Sequence, residues 1–598
     1  MLQRQRRYAS EDPAIGVFGD VALAIAASNG LPSSSGLATI ADRWAIVADA
    51  RIDNRDDLRR SIGSGELAGA SDATLILHAW ARWGEDCLQA IAGDFAFVIS
   101  DLQSGKVSLV RDPAGERPLF YSLSGNAFFF ASMPSGFGAQ ALEPDFETVA
   151  LWLRNQPPVG SASFFKGIER VLPGEVAQFQ GGRLSRRTWW DPDLRPWPYR
   201  PDDDVQEYRQ LLDQAVQSRL PRDANAVAAH LSSGLDSSAV TATAARLLPD
   251  RQRLIGFTAA PRNVTGAPPR RGLVADESEI AAKTAAFLGI RHRIEQDTPP
   301  LFEAIERHIH LAQGPPGDAF NMLWVCGIRN AARDVGAKSV LTGELGNLSL
   351  NPGGLANLAT YLQAGRWPQW WNEAKASLRR SDVRLRGVLM NSFWPWMPEA
   401  GETFLKRRFL GVSGAPETTF LCPEWLRWSQ AAPRPSRVRD SAALRLQMIR
   451  RHEVGTVRKA AIADAGVEEL DPMADRRLIE FGLRLPPEHL FRDGVARPLA
   501  RTALADRLPA SVLQSSTRGL QGADWFTKIS RESASQALET ISSSAGVKDL
   551  LDITALKTAI ESWPDGDWNS AACVTKYRTG LTRALSAGLF IKSLEHAA

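Results

Sequence analysis

Cysteine is scarce in this sequence. The 598 residues contain four, Cys87, Cys326, Cys422 and Cys573, far apart and without Cys-x-x-Cys spacing. That argues against a disulfide-stapled secreted scaffold and against a cysteine metal site, and it fits a reducing compartment. Charge of one sign is lacking as well. The formal net charge is +3, so neither nucleic acid nor a membrane surface is implied as a partner. No apolar run reaches membrane-spanning length, and Met1 to Ser10, although basic, leads into no apolar signal core. The expected location is the cytoplasm. With 44% hydrophobic and 23% charged residues the composition is that of an ordinary globular protein. The length exceeds what a single core holds, so about two to four domains are expected. Tryptophan is abundant instead, 18 in all, clustered at Trp152, Trp189-Trp190 and Trp367 to Trp371. Core packing is the default reading for these, with a peptide groove as the alternative.

The most informative stretch is His230-Leu231-Ser232-Ser233-Gly234-Leu235-Asp236-Ser237-Ser238. Ala226 to Leu231 is a short apolar run suited to a buried strand, and Ala239 to Leu248 is rich in helix formers. A strand, a Ser/Gly loop and a helix start gather backbone N–H groups and the positive end of a helix dipole around one anion. The hydroxyls of Ser232, Ser237 and Ser238 lie near by in sequence, and pyrophosphate suits such a cradle. The Gly-Lys-Ser/Thr ending of a Walker loop is missing, which argues against γ-phosphoryl transfer. The same residues read equally well as a plain cap of a surface helix, with Asp236 as the cap.

With Ser-x-Gly-Leu-Asp-Ser in place, the chain resembles the PP-loop ATP pyrophosphatases and, more narrowly, the asparagine synthetase superfamily. Ser233 stands where that loop has glycine. The resemblance implies that Leu231, Ser232, Ser233, Gly234, Leu235, Asp236, Ser237 and Ser238 grip the pyrophosphate of ATP, and that Asp236 holds Mg2+ while a carboxylate is adenylated. Arg253 to Thr258 reads as a second parallel strand whose end, Phe257 and Thr258, lies near the adenine. The Gly/Pro-rich Pro261 to Gly272 reads as a mobile loop. Asp276-Glu277-Ser278-Glu279 then opens a helix through Leu288, and its carboxylates either orient substrate or serve the helix dipole alone.

Before the loop, Ile15 to Ile25, Trp44 to Ile52, Phe95 to Ile99, Val107 to Val110 and Ala127 to Ser132 read as strands, and Ser71 caps a helix. Ala81 to Leu88, Gly93 to Phe97, Arg111 to Tyr121 and Leu172-Pro173-Gly174-Glu175 look like the glutaminase-type domain that precedes asparagine synthetases. The expected fold is therefore α/β, with an α+β glutaminase-like (Ntn-type) layered-sheet domain over 1–190 and a Pro-rich linker over 191–204. A PP-loop parallel-sheet domain with a large helical C-terminal part fills 205–598. The departures matter more than the matches. Position 2 is Leu2 where the family's nucleophilic Cys stands, and no other cysteine can replace it by spacing. Asp49-Ala50-Arg51-Ile52-Asp53-Asn54 replaces the family's Asn-Gly-Glu-Ile-Tyr-Asn, and an Asp repels a developing oxyanion. Glutamine hydrolysis is not expected, and the acceptor amine should come from elsewhere.

Ser339 to Asn347 reads as a strand ending in a Gly-rich turn, or as a mere strand-to-loop turn. By resemblance Gly343 belongs to the nucleotide site, and Asn347 stands where the family has a magnesium-serving Asp, with Glu344 able to restore the charge. Gly494 to Arg501 places Arg497 where the family carries a catalytic Lys, and Arg518 resembles its second basic position. The catalytic set expected is Asp236, Glu344, Arg497 and Arg518, and the metal set Asp236, Glu344 and Asn347, with ATP and Mg2+ as cofactors. The chain looks most like the lasso-peptide macrolactam synthetases. That resemblance implies adenylation of an Asp or Glu side chain in a precursor core peptide, ring closure by the peptide's N-terminal amine, and a leader peptidase as a second partner. Trp370 and Trp371 are candidates for the peptide cradle. A small-molecule amide synthetase of the β-lactam or asparagine type, and a non-catalytic nucleotide-binding partner, remain as alternatives.

Overall fold

A computed structural model describes all residues except 10–11, 27–35, 64–66, 126, 139–141, 222, 224, 263–272, 381–382, 399–400, 402–418, 434–437, 452, 516 and 596–598. The stretch expected to be a mobile loop, Pro261 to Gly272, lies almost wholly outside the described residues.

A six-stranded antiparallel sheet forms the amino-terminal half. Its strands are β1 (Gly36–Ile40), β2 (Trp44–Ile52), β3 (Gly93–Asp101), β4 (Lys106–Arg111), β5 (Glu175–Gln180) and β6 (Arg183–Thr188), ordered β6-β5-β4-β3-β2-β1. Successive side chains of a strand face opposite ways. Ile46, Ala48, Phe95 and Phe97 therefore enter one core, and Ala45, Val47, Ala96 and Val98 the other. Helix α1 (Asp72–Trp83), capped by the Ser71 hydroxyl accepting from the Thr74 N–H, supplies Leu75, Ile76 and Trp80 to the first. A small sheet of Phe120–Ser124, Ala127–Ala131 and Glu169–Arg170 supplies Tyr121, Phe128 and Phe130 to the second.

Helix α2 (Pro201–Gln217) starts inside the segment read as linker, because Pro201 at the first turn and Asp202, Asp203 and Asp204 beside the dipole favour a helix start there. The second sheet follows. Its strands β7 (Val227–His230), β8 (Leu254–Ala259), β9 (Arg291–Glu295), β10 (Ser339–Leu341) and β11 (Glu468–Leu470) run parallel in the order β9-β8-β7-β10-β11. Strand β7 has β8 on one side and β10 on the other, so the loop leaving it sits at the topological switch point, where open parallel sheets bind ligands. Helices α3 (Leu235–Leu247), α4 (Ser278–Leu288), α6 (Ala319–Asp334) and α7 (Gly455–Ala465) pack on this sheet, and α5 (Leu301–Ala312) packs on α7 and on the helix Thr582–Glu595. The rest of the described C-terminal chain is mainly helical: residues 525–591 pack about the helix Thr582–Glu595, Leu358, Tyr361, Ala374 and Val388 form a cluster of their own, and Leu446, Leu478 and Leu499 join the central core. One apolar core runs from Phe95, Trp189 and Trp190 into Val227, Leu231, Ala239 and Leu341, so the two halves share packed interior. Among the described residues no helix is long and apolar enough to cross a membrane.

Candidate functional site

The loop after β7 is closed by its own side chains. Leu231 N–H donates to Phe257 O at 2.8 Å, Gly234 N–H donates to Ser232 Oγ at 3.0 Å, and the Ser232 and Ser237 hydroxyls lie 2.7 Å apart. The N-cap of α3 is Gly234, which has no side chain, and Asp236 lies buried within the first turn. The plain-cap reading of Asp236 therefore fails. Ser238 departs from expectation too: it is fully buried and donates to Ser232 O at 3.1 Å, so it braces the loop from beneath. The remaining loop residues line the cavity. The loop's affinity for anions is visible directly, since Ser233 donates its N–H at 3.0 Å, and its hydroxyl as well, to the carboxylate of Glu277.

The turn after β10 comes down on this loop. A Cβ on Gly343 would lie 2.8 Å from the Asp236 carbonyl carbon, and one on Gly346 would lie 2.7 Å from the Asp236 carboxyl carbon. Only glycine permits that approach. Asn351 donates to Asp236 Oδ1 at 2.7 Å and accepts from the Tyr208 hydroxyl at 3.2 Å. Arg497 lies 3.5 Å from the other carboxylate oxygen. Burial pushes the Asp236 carboxyl up, and Arg497 and the Asn351 amide pull it down. Arg497 holds a left-handed backbone, φ 62°, at the start of the helix Pro498–Ala503, a conformation costly for an arginine. It also donates to the Asn347 side-chain oxygen. Arg497 thus joins Asn347 to Asp236, and the Asn347 amide oxygen keeps a second lone pair.

Glu344 accepts from Arg458 at 2.8 Å with half of its side chain exposed. Among the described residues no three His, Cys, Asp or Glu side chains are grouped to hold a metal. Asp236 and Glu344 both line the cavity. Two carboxylates fit Mg2+, which takes one or two from protein and completes its shell with phosphate oxygens and water. Thr258 donates to Leu231 O at 2.7 Å and lies 2.8 Å from His292 Nε2, so its hydroxyl ties the strands together, while Phe257 is buried beside it. Arg518 reaches the cavity beside Gly354.

The loop residues Leu231 to Ser237, together with Glu277, Gly343, Glu344, Asn347, Arg497 and Arg518, line one cavity of about 1670 Å3. Pockets for drug-sized ligands run to about 1,000 Å3, so this one has room for a nucleotide and a further large group. Its tryptophans are Trp324, Trp394 and Trp525. Trp370 donates to Ser392 at 2.8 Å and packs on Phe393, Trp371 is 54% exposed, and neither lines this cavity. Asn351 and Arg458 were absent from the sequence reading. The Asn-Pro-Gly-Gly punctuation at 351–354 is the one local cue for the former, and the latter has none.

In the amino-terminal half the segment Asp49 to Asn54 is consumed by ion pairs. Asp49 accepts from Lys459 at 2.6 Å. Arg51 binds Asp94 at 2.6 Å, and Arg219 binds Asp53 at 3.0 Å and Asp94 at 3.2 Å. Cys87 is buried, and burial pushes its thiol up to about 12. A thiol in that state is no nucleophile at neutral pH.

Comparison with known proteins agrees with this division. The asparagine synthase family profile matches residues 207–581, and the glutamine amidotransferase domain profile matches 13–190. The chain is 30% identical over 289 residues to the amidase chry2 of Gibberella zeae, covering 47% of this chain and 42% of that protein. It is 30% identical over 241 residues to the glutamine-hydrolyzing asparagine synthetase 3 of Bacillus subtilis, covering 38% of each. A glutamine-hydrolyzing asparagine synthetase 2 of Arabidopsis thaliana is 25% identical over 401 residues, 64% of this chain and 60% of that one. The first two alignments each span well under half of the relative's length.

Proposed function

The chain belongs to the asparagine synthase family, and from that membership we propose an ATP-dependent amide ligase whose amine is supplied by a peptide. In this reading an Asp or Glu side-chain carboxylate of a precursor core peptide attacks the α-phosphorus of ATP. A P–O bond forms and the bond to the β-phosphate breaks, releasing pyrophosphate. The peptide's N-terminal amine then forms the C–N bond as the C–O bond to AMP breaks, with loss of one proton, and a macrolactam ring results. A leader peptidase that frees this amine is the proposed partner.

The observation that carries the reading is the contrast between the halves. The anion loop, Asp236 and Arg497 converge on one cavity, while the segment that would hold an oxyanion in the glutaminase-like half ends in an Asp49–Lys459 pair. The amide-forming half is equipped and the ammonia-forming half is not. Mg2+, held by Asp236 and Glu344 when bound, would neutralise the triphosphate. The loop N–H groups and the Ser232 and Ser237 hydroxyls receive the pyrophosphate once Glu277 withdraws from Ser233. Arg497 keeps its charge and cannot give up a proton at neutral pH, so it stabilises the acyl-adenylate electrostatically. The cavity's size suits a prefolded peptide that brings amine and acyl carbon together.

The test is mass spectrometry after incubating the protein with ATP, Mg2+, a candidate precursor peptide and its protease. AMP together with a peptide lighter by one water supports the reading. AMP formed instead with free aspartate or a small β-amino acid would move the assignment to a small-molecule amide synthetase.

A further inference from the structure

The amino-terminal half keeps its fold although the chemistry expected of it is missing, and helix α7 (Gly455–Ala465) indicates what it does instead. One side of this helix is fastened to the amino-terminal half. Glu453, just ahead of it, accepts from Arg111 at 2.8 and 3.0 Å and from Arg170 at 3.4 Å. Gly455 lies so close to the 115–118 loop that a Cβ would meet Pro118 N at 2.7 Å and Gly115 O at 2.9 Å, both backbone atoms. Lys459 donates to Asp49 at 2.6 Å. Arg458, 4% exposed, reaches the other way. It donates to Glu116 of the amino-terminal half at 3.3 Å, to Glu469 on β11 at 2.6 Å, and to Glu344 in the cavity at 2.8 Å.

We propose that α7 is a strut through which the glutaminase-like half sets the position of Glu344, with Arg458 as the positioning residue. A guanidinium offers five N–H groups in a fixed fork, so one side chain can hold three carboxylates at fixed angles. Arg458 bonds at once to Glu116 in the amino-terminal half and to Glu469 and Glu344 in the other, which couples the geometry of the 343–347 turn to the presence of the amino-terminal half. The former oxyanion segment has a use in this arrangement: its Asp49 anchors the strut. The role assigned to Glu344 rests on the proposed ligase reading, whereas the mechanical coupling does not.

Hydrogen–deuterium exchange of the full-length protein separates the two. Gly455→Ala, which touches no ligand, and Arg458→Lys are both expected to speed exchange across residues 343–348 by about tenfold, through local opening, while the distal helix Thr582–Glu595 exchanges as in the parent. Unchanged exchange at 343–348 in Gly455→Ala, with the variant folded, overturns the strut whatever the reaction proves to be. Lys459→Met, which removes the Asp49 anchor and leaves that carboxylate to Arg117, is expected to speed exchange across 343–348 in the same direction, and unchanged exchange there would take the Asp49–Lys459 pair out of the strut. Where AMP formation is measurable, Arg458→Lys and Glu344→Gln each lower kcat at saturating ATP by about tenfold with KM for ATP unmoved, and the double variant falls no further than the worse single one. Multiplicative losses would overturn the assignment of Arg458 to Glu344.

Discussion

At Asp236 burial and charge pull in opposite directions, and the carboxylate depends on two donors, Arg497 and Asn351. Asp236→Asn keeps the shape and removes the charge, so AMP formation is expected to fall by about a hundredfold or more in a protein that still folds; undiminished AMP release would take Asp236 out of the chemistry. Glu277 occupies the loop as an anion, so Glu277→Gln should tighten pyrophosphate binding, read by titration calorimetry, and weaker binding would show that its carboxylate helps rather than competes. Glu116 sets a pH dependence. Burial pushes its carboxyl up to about 8 against the pull of Arg458. A group whose folded pKa is raised stabilises the fold below its unfolded value, and that contribution is lost as pH climbs to the folded one. Melting temperature should therefore fall between the ordinary carboxylate range and pH 8, and Glu116→Gln should flatten that fall. The sequence made Asp236 and Arg497 legible because motif spacing marks them. Asn351 and Arg458 were not, because their partners lie 115 and 114 residues away and no local pattern records such a contact.

Elements were more legible than contacts. The strand Trp44–Ile52 falls where its apolar run puts it, since burial on both faces dictates that pattern. The linker was misjudged at Pro201, where a proline that reads as a breaker also suits the first turn of a helix. Helical spacing in Trp367–Leu378 likewise shows that a face exists, and not what that face meets. The turn after β10 was recognised as a site, yet the reason for its glycines became clear only from the approach to Asp236. Gly346→Ala forces a methyl against that carboxylate and is expected to cost about 1–3 kcal/mol by overpacking, together with most AMP formation. A stable, fully active Gly346→Ala protein would show that the turn can retreat without consequence.

Across the whole molecule the two halves share one apolar core and several buried ion pairs, among them Arg219 with Asp53 and Asp94. Breaking a buried pair by removing one partner costs about 3–5 kcal/mol, because the other charge is left buried. Deleting residues 1–190 is therefore expected to yield an insoluble or non-cooperatively melting 191–598 fragment, and a soluble fragment with full activity would reduce the amino-terminal half to an appendage. The family and both folds followed from the loop motif and strand patterns, whereas the interlock of the halves depends on side chains hundreds of residues apart. The central claim is that this loop directs a carboxylate onto the α-phosphorus of ATP. It is tested most directly by giving the protein ATP, Mg2+ and a peptide whose side-chain carboxylate carries heavy oxygen, and weighing the nucleotide released. The label is predicted in AMP, one heavy atom per ring closed; ADP with labelled phosphate, or unlabelled AMP beside closed peptide, would contradict it.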